Sequence, residues 1–474
     1  MAVRMGTGAG RAVIAAAALG SGIAFLDGTV VNVALRSIGE DLDASLAQLQ
    51  WITNGYLLSL ASLILIGGSL GDRFGRRRVF VIGTIWFAAA SMVCGLAPNP
   101  EILIAARVLQ GVGGALLTPG SLAMIQGAFA QEDRAPAIGA WSGLTGIAGA
   151  VGPFVGGGLV QYADWRWIFL INLPLAVITV VVALRYVPET RDPHASSHFD
   201  LVGAVLASAA LGGATYALIE WGGTAAWVAV VVGVVAAVGF VVVESRESEP
   251  MLVLSIFRDR TFSAANVMTL LVYGAFGAQG FFVTLELQTV SGYGALAAGA
   301  AFVPTTLIML VLASRGGRLG QRIGPRIPMT VGPVVIAVGV LLTLMIGPDV
   351  VYVRDVLPAT IVFGLGASLM VAPLTATVLA AAPDEHAGIA SGVNNAVARA
   401  GALLAVAALP VAVGMHGAEY ADPAAFDDAF RMAMMICAAL LAVGGVISWL
   451  TIRDRVLDEP NSSPADLDGR NPAD

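Results

Sequence analysis

Fourteen apolar runs, each about long enough to cross a bilayer, constrain this chain more than any other feature of its sequence. Read between charged or turn-rich breaks, the first six fall near residues 12–34, 51–71, 79–97, 102–126, 136–160 and 167–184. Two more lie near 201–220 and 226–243, and the last six near 262–287, 295–314, 328–347, 355–378, 388–412 and 430–450. A helix needs roughly 20 apolar residues to span the hydrocarbon layer. Of 474 residues, 57% are hydrophobic and 12% charged, against about 25% charged in a soluble domain. Lipid, not a water-soluble core, must cover so much apolar surface. The expected fold class is therefore an all-α polytopic membrane protein. The first run outlasts a signal-peptide core and has no small-residue cleavage site, so it reads as a retained helix.

Arginine sets the orientation. There is no lysine; all 25 basic residues are arginine, which reads as base-composition bias. With the N terminus inside, nineteen arginines face the cytoplasm, and only Arg36, Arg166, Arg354 and Arg431 face out. Positive charge stays inside in membrane proteins, and an even number of spans puts both termini there. Outer loops carry acids such as Glu40, Asp41 and Asp43, and Trp221 and Trp227 flank one short outer turn. The net charge of −7 says little about partners, because its sign alternates from loop to loop.

The chain also repeats itself. Residues 68–77 read GSLGDRFGRR after the second span, and residues 317–326 read GRLGQRIGPR after the tenth, an offset of about 249 residues. GVGGALLTPGSLAMI from Gly111 is matched by GLGASLMVAPLTATV from Gly364, with a one-residue slip. Two similar six-helix halves suit a transporter that alternates access around a central site. Spans seven and eight have no counterpart and read as an inserted pair. The expected organisation is 1–185 for the N-terminal half, 186–260 for the inserted pair and linkers, 261–455 for the C-terminal half, and 456–474 for a disordered cytoplasmic tail.

Several motifs carry more than packing. Gly68, Asp72, Arg73, Gly75, Arg76 and Arg77 form a glycine- and arginine-rich turn. Glycine permits a tight turn there, and Asp72 is placed to cap a helix or accept from arginine. Asp27, in LDGTVVNVAL, is a carboxylate inside a span, costly enough to be read as functional. Arg107, in ARVLQGVGG, lies inside the fourth span. At 1.5 Å per residue, Asp27 sits roughly 13 Å below the outer Arg36 and Arg107 roughly 9 Å below the outer Glu101. The two are expected to pair. GIAGAVGPFVGGG on the fifth span supplies Gly146, Gly152, Pro153, Gly156 and Gly157.

Together these motifs resemble the major facilitator superfamily, specifically its fourteen-helix drug:proton antiporter branch, over essentially the whole chain to about residue 455. The resemblance implies that Asp27 carries a coupling proton tuned by Arg107, with a purely structural ion pair as the alternative. It implies that the 68–77 turn is a conformational gate, against a plain cytoplasmic anchor. It implies that the fifth-span glycines and Pro153 form an antiporter motif that seals against leak, against ordinary small-residue packing. DWRWIFLINLP, from Asp164, also resembles this branch, whereas Arg36 stands where the branch has proline. Asn32, Asn394, Asn395, Arg399 and Glu286 are candidate cavity or gate residues. For Arg399 with Asn394 and Asn395 the alternative is helix-to-helix hydrogen bonding. For Glu286, a preference for cationic substrates competes with a solvated outer rim.

The expected function is a plasma-membrane secondary transporter that exports small hydrophobic or cationic compounds, including drugs and antibiotics, in exchange for protons. The alternatives are export of an endogenous metabolite or natural product, or a facilitator. No enzyme is expected, since no nucleophile set, metal set or cofactor loop is present. GVGGA lies mid-span with no strand before it, so it is not read as a nucleotide loop. His194, His198, His386 and His416 have no metal-ligand spacing, and Cys94 and Cys437 sit in apolar runs. The expected partners are a small-molecule substrate, protons and lipid, without nucleic acid or cofactor, in a protein that functions as a monomer.

Overall fold

A computed structural model describes residues 3–191, 200–247, 250–383, 387–415 and 422–453. The four histidines and the tail from 454 onward lie outside the described residues. Among the described residues, fourteen helices are long and apolar enough to cross a membrane. They are α1 (Gly8–Leu42), α2 (Leu46–Phe74), α3 (Arg76–Gly95), α4 (Pro100–Ala128), α5 (Gln131–Tyr162), α6 (Trp167–Tyr186), α7 (Leu201–Ile219) and α8 (Thr224–Glu244). The remaining six are α9 (Arg260–Thr289), α10 (Ala295–Ile323), α11 (Arg326–Met345), α12 (Tyr352–Ala380), α13 (Gly388–Ala412) and α14 (Pro423–Thr451).

The helices begin where the sequence offers caps. Ser45 and Gln48 form a reciprocal capping box at α2, and Asn99 with Pro100 opens α4. Asp259 accepts from Phe262 N at 2.8 Å to open α9. Each such cap satisfies amide donors that the first turn leaves free. Several helices outrun their apolar runs. α1 continues to Leu42 because Arg36 and Glu40 pair at 2.8 Å one turn apart and Asp41 accepts from Trp165 and Arg166. Polar groups thus sustain the helix beyond the apolar stretch.

The internal repeat is visible in the packing. Gly75 (φ 113°) and Gly324 (φ 82°) end corresponding helices in the left-handed half of backbone space, where a side chain is strained. Gly67 meets the backbone of Ala115 where α2 crosses α4, and Gly316 meets the backbone of Ser368 where α10 crosses α12. Gly113 lies against Phe87 and Gly366 against Ile336 in the same fashion. Close helix crossings of this kind need small residues in lipid. α7 and α8 pack on each other, and α7 also touches α2 of one half and α13 of the other.

The two halves meet at their outer ends. Gln288 Nε2 donates to the Val33 carbonyl at 2.9 Å, and Arg36 donates to the Gln288 carbonyl. Gln50 Nε2 donates to the Val406 carbonyl at 2.8 Å, and Gln161 Oε1 accepts from Leu296 N at 3.1 Å. Buried apolar residues follow the same division. One continuous cluster joins the outer part of the first half (Leu35, Leu49, Phe169) to the second half (Phe262, Phe282, Phe430). The inner part of the first half (Val13, Phe80, Ile125, Ala183) forms a cluster of its own.

α5 shows the consequence along one stripe. Pro153 and Gly157, toward its outer end, touch Gly299, Ala295 and Leu296 of α10. Gly146, Gly143 and Gly139 continue that stripe inward, and nothing lies within 4 Å of the space their side chains would fill. Along this stripe the halves touch at one end and part toward the other, whereas α2 and α13 stay in contact farther along, Leu65 against Gly392.

Candidate coupling and gating site

Asp27 and Arg107 meet in the first half, as their depths predict. Arg107 Nη1 and Asp27 Oδ2 are 2.5 Å apart, and the two side chains are 1% and 0% exposed. Two ions out of water need more than each other, and the neighbouring helices supply it. Gln110 Nε2 donates to Asp27 Oδ1 at 2.8 Å, and Asn172 Nδ2 donates to the same oxygen at 3.1 Å. Arg107 donates through Nη1 to Gln110 Oε1 at 2.6 Å and through Nε to the Ile52 carbonyl at 3.0 Å. Its guanidinium carbon lies 4.4 Å from the Tyr56 ring centroid and 5.7 Å from that of Phe169, within range of a cation–π attraction.

Ser91 closes the network. Its hydroxyl accepts from Gln110 and Asn172 at 3.1 and 3.0 Å, and donates to the Phe169 carbonyl at 2.9 Å. Five helices (α1, α2, α3, α4 and α6) thus converge on one carboxylate. Sequence reasoning missed Gln110, Asn172, Ser91 and Tyr56. Gln110 had a signal, three residues beyond Arg107 on the same helix face, and Asn172 lay inside the DWRWIFLINLP segment. Ser91, in an apolar run, had none.

The fifth-span glycines serve two neighbours. Gly152 and Gly156 press on α1 at Thr29, Leu26 and Val30, next to Asp27, while Pro153 and Gly157 press on α10. A side-chain carbon at Gly157 would lie 2.6 Å from the Ala295 carbonyl oxygen, and one at Gly156 would lie 2.7 Å from Val30 Cβ. Gly146 faces open space instead.

The 68–77 turn is held by α3, α4 and the segment after α6. Asp72 Oδ1 accepts from Arg76 Nε at 2.8 Å. Arg76 also donates to the Ala123 carbonyl at 3.2 Å, and Arg77 to the Val187 carbonyl at 3.0 Å. Glu189 accepts from Arg77 N at 3.1 Å and lies 3.6 Å from its Nε. Arg73 stacks on Phe74, Gly75 turns the chain, and Gly68 lies beside Pro119.

The remaining candidates separate. Asn394 Nδ2 donates to Thr269 Oγ1 at 2.8 Å and Asn266 Oδ1 at 3.2 Å, which is hydrogen bonding between α13 and α9. Asn395 is partly buried beside it. Arg399 crosses from one half to the other, its guanidinium carbon 5.5 Å from the Phe25 centroid. Asn32, on α1, has a buried Oδ1 without a donor and an amide nitrogen facing Gly280 of α9. Glu286 corrects one expectation: it is 0% exposed rather than on a solvated rim, because the outer seam closes over that end of α9. Glu220, in contrast, is exposed at the outer surface and accepts from Trp51 at 3.3 Å.

Comparison with known proteins converges on one family. Residues 17–406 match the sequence profile described as Major Facilitator Superfamily. The chain is 36% identical to the tetracenomycin C resistance and export protein of Streptomyces glaucescens, over 84% of this chain and 74% of that one. It is 34% identical to the puromycin resistance protein pur8 of Streptomyces alboniger, over 96% and 93% of the two chains. Among solved structures, a bacterial homologue of the human lysosomal transporter Spinster superposes with a TM-score of 0.66 at 17% identity, covering 97% of this chain and 99% of that one. At that identity the likeness concerns the fold.

Proposed function

Since this chain belongs to the Major Facilitator Superfamily, we propose that it exports small antibiotic-like molecules across the plasma membrane in exchange for protons. It works as a monomer with both termini in the cytoplasm, and it draws its energy from the proton gradient without a cofactor. The arginine-rich inner loops support that orientation. The names of relatives, which speak of resistance and export, support the substrate class and the outward direction.

The observation that carries the coupling is the buried Asp27–Arg107 pair. With the outside closed, Asp27 is ionised and held by Arg107, Gln110 and Asn172. A proton on Asp27 cancels one charge and leaves Arg107 to Gln110, the Ile52 carbonyl and Tyr56. Breaking a buried pair costs about 3–5 kcal/mol. Inverting a two-state population from 1:99 to 99:1 takes about 5.5 kcal/mol, so one protonation supplies much of a change of access. Arg399 and Asn32, both between the halves, are the residues placed to meet cargo. The glycine–arginine turn then exchanges its partners when the cytoplasmic side closes.

Uptake of puromycin and tetracenomycin C into inverted vesicles under an imposed proton gradient tests the proposal. Wild type accumulates at least one of them, and Asp27→Asn loses uphill accumulation at unchanged expression. Undiminished accumulation by the variant contradicts the assignment.

A further inference from the structure

Arg399 is a cation left without an acid. It stands midway along α13 (Gly388–Ala412), partly buried. Its guanidinium carbon lies 5.5 Å from the ring centroid of Phe25 on α1, and among the described residues no carboxylate or hydrogen-bond acceptor engages it. An aromatic face attracts a guanidinium but does not neutralise it. A charge at that depth is costly, and where it persists it faces a bundle interior or a water-filled cavity on a substrate path.

The space beside it is open. Phe25 is 42% exposed, and Gly28, one turn on along the same face of α1, has nothing within 4 Å of where a side chain would start. Gly149 of α5 lies beside the Phe25 ring, and Gly146, one turn from it, meets nothing. Asn32 continues the α1 face with a buried Oδ1 that receives no donor. No acid there serves a cation. Among the described residues, Asp27 is the only acid away from the ends of a spanning helix, and its two oxygens are taken by Arg107, Gln110 and Asn172. Glu286 is buried at the outer end of α9.

We propose that the space between the halves selects organic anions with an aromatic body, the acid bound by Arg399 and the rings laid on Phe25. A guanidinium offers a carboxylate two parallel N–H donors, and the cargo then supplies the countercharge that α13 lacks. A cationic cargo brings a second positive charge to Arg399 with no acid to offset either, and like charges brought together reject the wrong partner. Phe25 and Asn32 are seven residues apart, roughly 10 Å along the helix. A fused ring body over Phe25 therefore carries a hydroxyl toward Asn32 Oδ1, an acceptor in want of one. The cargo class thus moves from cationic compounds to aromatic acids.

This inference rests on the reading that cargo binds between the halves, but not on protons or on Asp27 as the coupling acid. The test measures binding to full-length protein in phosphatidylcholine nanodiscs at pH 7, with empty discs subtracted. Two fluorescent probes share one ring body and differ in charge: anthracene-9-carboxylate and 9-(aminomethyl)anthracene. The wild type is expected to bind the carboxylate at least about ten-fold tighter than the ammonium, the size of one charged hydrogen bond. Arg399→Gln is expected to remove that preference, and Arg399→Lys, which keeps the charge but not the fork, to retain part of it. If Arg399→Gln does not fold, the wild-type comparison and Arg399→Lys carry the test. Equal affinities, a tighter ammonium or no carboxylate binding in the wild type overturns the proposal, as does a wild-type preference in Arg399→Gln. Binding needs no gradient, so a failed vesicle assay and a failed selectivity are told apart.

Discussion

Asp27 illustrates how a costly residue is made tolerable. Its carboxylate is matched by one cation and two amide donors, drawn from α4 and α6. A hydrogen bond to a charged group contributes about 1.5–3 kcal/mol, so the amides matter as much as the geometry. Gln110→Ala removes a donor that favours the ionised form. Uphill uptake should fall by about ten-fold at unchanged expression, the size expected for one such bond. Uptake at the wild-type rate would make Gln110 a packing residue. Arg107→Ala should be harsher, destabilising the fold by about 3–5 kcal/mol, readable as a lowered melting temperature in detergent. The pair was legible beforehand because charged residues inside apolar runs stand out and depth can be counted from the loops. Ser91 and Asn172 were not, because uncharged polar residues in such runs carry no mark of which neighbour they will meet. Nor was the burial of Glu286, since no count along one helix reveals whether another half closes over its end.

At the scale of an element, the proposed change of access is tested along one stripe of α5. Its outer positions, Pro153 and Gly157, are in contact with α10, and its inner positions, Gly146, Gly143 and Gly139, are free. Gly157→Val inserts bulk where the Ala295 carbonyl already sits. Overpacking costs about 1–3 kcal/mol, so the outer-closed population should fall by about 5–150-fold. Cysteine labelling at Ala298→Cys, a position buried in this state, measured with an impermeant thiol reagent from outside, should rise accordingly. Gly143→Leu should do the opposite: it leaves this closed-outside state untouched, as nothing lies within 4 Å, but obstructs closure on the inside and slows transport. Labelling of the Gly157 variant at the wild-type rate would show that the stripe is mere packing. The glycine spacing was readable in the sequence, whereas the division of the stripe into a zipped and an open part depends on where two halves touch, which no local pattern records.

For the whole molecule, the 249-residue repeat and the arginine count lead the sequence to be read as two similar halves in one orientation. The glycine turns at Gly75 and Gly324 and the crossings at Gly67 and Gly316 fall at corresponding places in the repeat. The inserted pair was also legible, but not its seat, with α7 against both α2 and α13. That seat spans the two halves where α2 and α13 pack on each other, so it is compatible with rocking about their shared side. The account as a whole depends on a carboxylate that gives up its proton when cargo binds. Proton release from purified protein on adding puromycin or tetracenomycin C, recorded with a pH dye in weak buffer, tests this most directly. A release that saturates with cargo and vanishes in Asp27→Asn is the predicted result. Cargo binding with no release, or release that persists in the variant, would contradict it.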